Sequence, residues 1–264
     1  MSLSKTIVNL AIFIMGTKRL AHLAVRSRKN ELSALLQTKL NNIVQFGPFA
    51  GLKLPAINFW GDGDRGAILT GLYESNLHQS IERAIARKPE IVVNVGCADG
   101  YYSNGFALVL PEAYILAIDI NPSAGQVCME MARLNGHDNR MTFKLGSSYD
   151  FLLNATNNKS GLLFFDCEGA EIEILDEKTI NILNNYDIII ETHEFNGEDT
   201  INELKKRFSS SHNLEILTQG GRDPHENPVM SEWSELDRLI IAHEGRGKPM
   251  TWLLCWSKSK SFHD

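Results

Sequence analysis

Short apolar runs recur from residue 90 onward, separated by stretches whose apolar positions repeat at helical spacing. The runs predict strands over 90–95, 114–118, 140–145, 161–165, 186–191, 213–218 and 250–256. The intervening periodicity predicts helices near 101–110, 122–135, 148–154, 171–184, 198–209 and 232–243. Strands such as Ile91-Val92-Val93 lack polar alternation, so they are expected to be buried on both faces. Steady β/α alternation then implies a mainly parallel sheet covered by helices on both sides. The last two strands break the rhythm. A long polar insert, 219–249, lies between them and predicts a late hairpin-like pair.

Upstream the pattern changes. Residues 1–44 read as a helical segment, and 45–71 turn loop-like through Gly-Pro, Leu-Pro and Gly-Asp-Gly-Asp breakers. Ser75 is expected to cap a helix running to about Arg87, which Lys88-Pro89 ends before the first strand. The expected organisation is therefore 1–44, a linker and covering helix over 45–89, and an α/β domain over 90–264.

Composition narrows the class. The 264 residues are 43% hydrophobic, enough for a substantial core, and a net charge of −6 argues against a general nucleic-acid binder. Cys97, Cys128, Cys167 and Cys255 are scattered without a C-x-x-C pair, as expected of reduced thiols in a cytoplasmic protein. Asn154 and Asn158 open Asn-x-Ser/Thr triplets that matter only in a secreted chain. The first thirty residues carry Lys5, Lys18, Arg19, Arg26, Arg28 and Lys29 and no acid, around an apolar run from Ile7 to Met15 that is too short to span a bilayer. Such a helix is suited to packing on the main domain or on a second copy of the chain, with peripheral contact to an anionic membrane as the alternative.

The first strand runs into Asn94-Val95-Gly96-Cys97-Ala98-Asp99-Gly100-Tyr101, a glycine-bearing turn that opens a helix. Helix N-termini present unpaired N–H groups, and glycines permit close backbone approach, so the turn suits an anionic or strongly hydrogen-bonding ligand. The spacing is not the G-x-G-x-x-G of dinucleotide turns, which disfavours NAD. The second strand ends in Asp119, about 20 residues on, where an acid accepts hydrogen bonds from ribose hydroxyls. A mononucleoside with a carboxylate tail fits both features, and S-adenosylmethionine (SAM) is that molecule. Candidate cofactor contacts are Glu74, Asn94, Gly96, Cys97, Ala98, Asp99, Gly100, Tyr101, Asp119, Ile120, Ser147, Ser148 and Asp166. For Ser148 the alternative is a helix cap.

Ligands of open α/β sheets bind outside the carboxyl ends of the strands. The fourth strand ends in Asp166-Cys167-Glu168-Gly169-Ala170-Glu171 and the fifth in Glu191-Thr192-His193-Glu194. Asp166, Glu168, Glu191 and His193 are the candidate catalytic residues. One of them acts as a metal-free general base on a hydroxyl, or Asp166 and Glu191 bind Mg²⁺ or Mn²⁺, which lowers the hydroxyl pKa. Glu171 and Glu173 are expected on exposed first turns of the next helix, where negative charge suits the helix dipole.

Asn94–Ser103, the Asp166-x-Glu-Gly-x-Glu171 signature and Gly71-Leu-Tyr-Glu-Ser-Asn-Leu-His78 together resemble the FkbM-like class I SAM-dependent O-methyltransferases over roughly residues 45 to 256. The resemblance implies a Rossmann-like, seven-stranded, mainly parallel sheet whose last strand inserts antiparallel. It further implies that Gly96, Cys97, Asp99 and Gly100 line the methionine moiety, Asp119 the ribose and Asp166 the reacting end of SAM. Tyr73, Glu74 and His78 precede or open the covering helix. Asn94 departs from the acid that many class I enzymes carry there. The fourth-strand motif is not the Asn/Asp-Pro-Pro-aromatic of amino methyltransferases, so oxygen is the expected acceptor.

The expected activity is methyl transfer to a hydroxyl of a sugar, a polysaccharide precursor or another small metabolite. The insert 219–249, with Arg222, Asp223, His225, Glu226 and Arg246, is the candidate substrate lid, within which Trp233, Leu236 and Leu239 are expected to pack. The rival readings are an NAD-type oxidoreductase and a binding protein that keeps the fold without activity.

Overall fold

The computed structural model describes Ile7 and residues 12–57, 64–146, 160–193 and 199–259. Seven strands form one sheet: β1 Ile91–Val95, β2 Tyr114–Asp119, β3 Met141–Leu145, β4 Gly161–Phe165, β5 Tyr186–Thr192, β6 His212–Thr218 and β7 Thr251–Ser257. Their order is β3-β2-β1-β4-β5-β7-β6. All pairings from β3 to β5 are parallel, and β7 inserts antiparallel between β5 and β6. This is the class I methyltransferase arrangement expected from the sequence.

Every residue of β1, β4 and β5 is buried, the polar Asn94, Asp187, Glu191 and Thr192 included, as in a sheet covered on both faces whose strands are mainly apolar. Alternate side chains supply two cores. Val92, Ile115, Leu162, Phe164, Ile189, Trp252 and Leu254 lie in one, and Val93, Val95, Leu163, Phe165, Ile188, Ile190 and Leu253 in the other. Full burial of each such side chain is worth about 1.5–3 kcal/mol. The partly exposed edge strands β3 and β6 mix polar and apolar positions.

The sheet order reverses between β1 and β4, so the loops after these strands part to opposite sides and leave a crevice at their carboxyl ends. Helices Tyr101–Val109 and Pro122–Asn135 follow β1 and β2. Asn121 caps the second, accepting from the Ser123 N–H at 3.0 Å, and left-handed Gly136 ends it.

Several expectations need correction. The helix expected over 171–184 is two short helices, Glu171–Ile174 and Glu177–Ile182, because Asp176 accepts from the Thr179 N–H at 2.8 Å and starts a second helix. Ser75 caps nothing. Glu74 sits in the left-handed region, Ser75–Leu77 form a 3-10 turn, and the α-helix is His78–Ala86. The stretch expected as loop contains helix Arg65–Leu69. In the insert, helix Glu235–Ala242 buries Ile240, Ile241 and Ala242, whereas Leu236 and Leu239 face solvent; Trp233 packs at the core margin. The expected helix 148–154, Ser147, Ser148, Asn154, Asn158 and Glu194 lie outside the described residues.

Candidate active site

The turn after β1 is built against the turn after β4. Gly96 has φ +76°, and a Cβ there would stand 1.6 Å from the Asp166 carbonyl oxygen. Gly100, at φ +84°, is equally constrained, since a Cβ would lie 2.5 Å from Cys128 Sγ. Backbone and helix packing thus require both glycines whatever ligand the turn receives. The N–H groups of Gly96 and Cys97 donate to the Ile118 carbonyl and that of Gly100 to the Cys97 carbonyl, so the turn's amides are largely satisfied within the protein. The first-turn amides of helix Tyr101–Val109, at Tyr101, Tyr102 and Ser103, have no intrahelical acceptor by geometry and remain the donors of this end.

Other candidate cofactor residues divide. Asp119 is half-buried beside the turn. Its Oδ2 accepts from the Ala98 N–H at 2.9 Å and its Oδ1 from the Asn121 N–H at 2.8 Å, and each oxygen keeps a lone pair for a hydroxyl. Ile120 is 81% exposed next to it, an apolar face at the crevice rim. Ala98 holds φ +47°, a left-handed conformation maintained by its bond to Asp119. Cys97 is buried and its thiol donates to the Ala98 carbonyl at 3.7 Å; the neighbouring Cys128 thiol, together with burial, raises its pKa. Asn94 is buried, donates from Nδ2 to Ser103 Oγ at 2.9 Å, and leaves Oδ1 without a hydrogen-bond partner among the described residues. His78 packs over Gly47 instead of facing the strand ends.

At the ends of β4 and β5 the carboxylates gather around two cations. His193 Nδ1 donates to Glu171 Oε1 at 2.7 Å. Its Nε2 faces Glu168 Oε2 at 3.6 Å, Asp166 Oδ1 at 3.9 Å and Glu191 Oε1 at 3.9 Å. Glu171 also accepts from the Gly169 N–H at 3.1 Å and is buried, contrary to the exposed position expected of it. Burial opposes a charge on His193, yet the hydrogen bond to Glu171 and the neighbouring Asp166 charge outweigh it and push the imidazole up to about 8. Asp166 Oδ1 is enclosed without a hydrogen-bond partner among the described residues, and burial, with the Glu191 charge next, pushes this carboxyl up to about 8. Glu168 is exposed and left-handed at φ +51°.

The second cation is Arg246, delivered by the insert. Its Nη1 bonds Glu191 Oε1, its Nη2 bonds Glu74 Oε1, and its Nε donates to Glu244 Oε2 at 2.9 Å. Glu244 is itself paired with Arg222 and accepts from the Glu74 N–H at 2.8 Å. Glu74 Oε2 accepts from the Tyr102 hydroxyl, and the Tyr102 ring stacks on Phe164 with centroids 4.0 Å apart. Both Glu74 oxygens are therefore occupied by protein groups. Burial and the Glu191 charge push Glu74 up to about 8, and burial also raises Glu191.

Donor atoms of Asp166, Glu168 and His193 lie within 4.8 Å of one another. That grouping differs from the Asp166–Glu191 pair expected to take a metal, because Glu191 is held by Arg246. Sequence reading missed Glu171, Glu244 and Tyr102, and placed Arg246 in a lid without its partners. The repeated acids of Asp166-x-Glu-Gly-x-Glu171 were a signal for Glu171; no local pattern ties residue 246 to 74.

The site suits SAM on three counts. The Gly96–Gly100 turn and the half-buried Asp119 stand side by side at the ends of β1 and β2, the first-turn N–H groups of helix Tyr101–Val109 have no intrahelical acceptor, and the enclosed Asp166 Oδ1 has no hydrogen-bond partner among the described residues, which suits a positively charged group.

Residues 83–206, from the covering helix through β5 into helix Thr200–Phe208, match a family model described as O-methyltransferase. No curated protein matches the chain by sequence. Similar solved structures include the O-methyltransferase TomG of Streptomyces achromogenes in complex with SAM, at 12% identity, covering 87% of this chain and 90% of that one with a TM-score of 0.48. The MccD protein is similar at 16% identity, 70% and 96% coverage and a TM-score of 0.48. A precorrin-6y C5,15-methyltransferase of Geobacter metallireducens GS-15 is similar at 11% identity, 69% and 89% coverage and a TM-score of 0.45.

Proposed function

We propose that this SAM-dependent O-methyltransferase methylates a hydroxyl of a sugar, a polysaccharide precursor or another small hydroxylated metabolite, with His193 as general base and Glu171 as its positioning residue. The observation that carries the reading is the 2.7 Å bond from His193 Nδ1 to a buried carboxylate, which fixes the tautomer and aims Nε2 at Asp166 and Glu168. SAM, when bound, supplies an electrophilic methyl group. The Gly96–Gly100 turn would line its methionine moiety, Asp119 would hold the ribose, and Asp166 would face the reacting end. Transfer of that methyl to the acceptor oxygen would break its bond to the sulfonium sulfur and release S-adenosylhomocysteine, while His193 Nε2 would take the acceptor hydroxyl's proton and the buried Glu171 carboxylate would stabilise the resulting imidazolium. The rest of the rate comes from holding the acceptor in line.

The Arg246 clamp supports a substrate-shaping role for the insert. It ties the loop after helix Glu235–Ala242 to β5 through Glu191 and to the covering segment through Glu74, which closes one side of the crevice. A second reading gives the hydroxyl's activation to Mg²⁺ or Mn²⁺, favoured by the convergence of Asp166, Glu168 and His193.

The test is methyl transfer from SAM to a panel of sugars and sugar phosphates, followed by mass and by S-adenosylhomocysteine release, with and without chelator. O-methylated product that survives chelation and is lost in His193→Ala supports the metal-free base. Product lost on chelation and restored by Mg²⁺ supports the cation. Methylation of amines alone contradicts both.

A further inference from the structure

Among the described residues, helix Thr17–Leu40 is fastened to the body from Val25 onward. Lys29, Leu32, Ser33 and Leu36 are its buried residues. Arg28 makes a two-pronged pair with Asp237 at 2.9 and 2.8 Å, and Lys29 pairs with Asp64 at 2.9 Å. No described residue before Lys29 is buried. Phe13 is 88% exposed and Ile14 70%, and Ile7 and Leu23 are exposed as well.

The same stretch of chain carries Lys18, Arg19, His22 and Arg26, all exposed. None of the chain's 32 acids lies in its first thirty residues, although the chain as a whole is net −6. Apolar groups beside a one-signed cationic row match a surface with negative groups over an apolar layer, which is an anionic bilayer. A second copy matches less well, because a two-fold contact would bring the same cations face to face. No described helix is long and apolar enough to cross a membrane, so the fit is to the surface.

We propose that the amino-terminal segment docks this protein on anionic membrane surfaces, with Phe13 and Ile14 in the headgroup–acyl boundary and Lys18, Arg19 and Arg26 among the lipid phosphates. The Arg28–Asp237 pair joins this segment to helix Glu235–Ala242 of the insert, whose following loop carries Arg246 to the strand ends. Docking therefore holds the insert at a fixed place relative to the bilayer.

The test is co-sedimentation of the full chain with vesicles of phosphatidylcholine plus phosphatidylserine and with phosphatidylcholine alone, a readout independent of methyl transfer. The chain is expected to pellet with the first and to release in high salt. Binding should fall roughly ten- to thirtyfold in the Lys18→Gln, Arg19→Gln double variant, and be lost in Phe13→Asp, Ile14→Asp with an unchanged melting temperature. Absence from the anionic vesicles, or equal pelleting of the aspartate variant, overturns the proposal. So does a solution dimer that Phe13→Asp dissociates, which would assign the face to a second copy.

Discussion

Glu171, buried in the first turn after β4, accepts a 2.7 Å hydrogen bond from His193 Nδ1 just beyond β5. A carboxylate behind an imidazole whose other nitrogen faces the crevice is a base with a fixed tautomer. His193→Ala should lower kcat by about 10²–10⁴. Glu171→Gln should lower it at least about tenfold with the KM for SAM unchanged, and should move the pH profile to lower pH, because the imidazolium loses its partner. A changed KM with an unmoved pH profile would make Glu171 purely structural.

Activity should rise with pH through about 8. A base must be neutral to accept a proton, and with His193 pushed up to about 8, roughly a tenth is neutral at pH 7. Asp166, also pushed up to about 8, exchanges charge with it, so the limb of the kcat/KM profile belongs to the pair. A plateau already complete at pH 6.5 would contradict this assignment.

Arg246→Met should destabilise the fold by about 2–4 kcal/mol, because Glu74 and Glu191 remain buried without their shared cation. The loss should depend on pH. A buried carboxyl whose folded pKa is raised loses stability as pH climbs past its ordinary value near 4.5, so the variant should lag wild type more at pH 8 than at pH 5. Urea unfolding at the two pH values measures the difference.

Gly96→Ala should be worse than an ordinary glycine substitution. Its Cβ would meet a backbone oxygen at 1.6 Å and its φ of +76° is strained for alanine, so about 2–4 kcal/mol of stability should go, together with cofactor binding. Gly136→Ala is the control, since it shares a left-handed φ of +75° but its Cβ would meet nothing within 4 Å.

The sheet was legible because its signal is local. Leu162 to Phe165 are apolar at every position and Ile91 to Val95 at all but Asn94, as suits strands buried on both faces, and the Asn121 and Gly136 caps bound their helix by chemistry readable in single residues. The acids at the β4 and β5 ends were legible for the same reason, since parallel neighbours bring their carboxyl ends together. What escaped depended on distance along the chain. Glu171 looked like a solvated helix start until His193, 22 residues later, turned out to close over it. Arg246 and Glu74 are separated by 172 positions, and no periodicity in either segment announces their pairing. That Gly96 and Gly100 also make room for the Asp166 backbone and Cys128 depends on partners far along the chain and has no local signal.

The most direct test of the central claim is calorimetric titration of the purified chain with S-adenosylhomocysteine and, separately, with NAD. The expected result is stoichiometric binding of S-adenosylhomocysteine that Asp119→Ala weakens at least about tenfold, with no heat from NAD. Binding of NAD alone, or S-adenosylhomocysteine binding indifferent to Asp119, would contradict the site assigned to the crevice between β1 and β4.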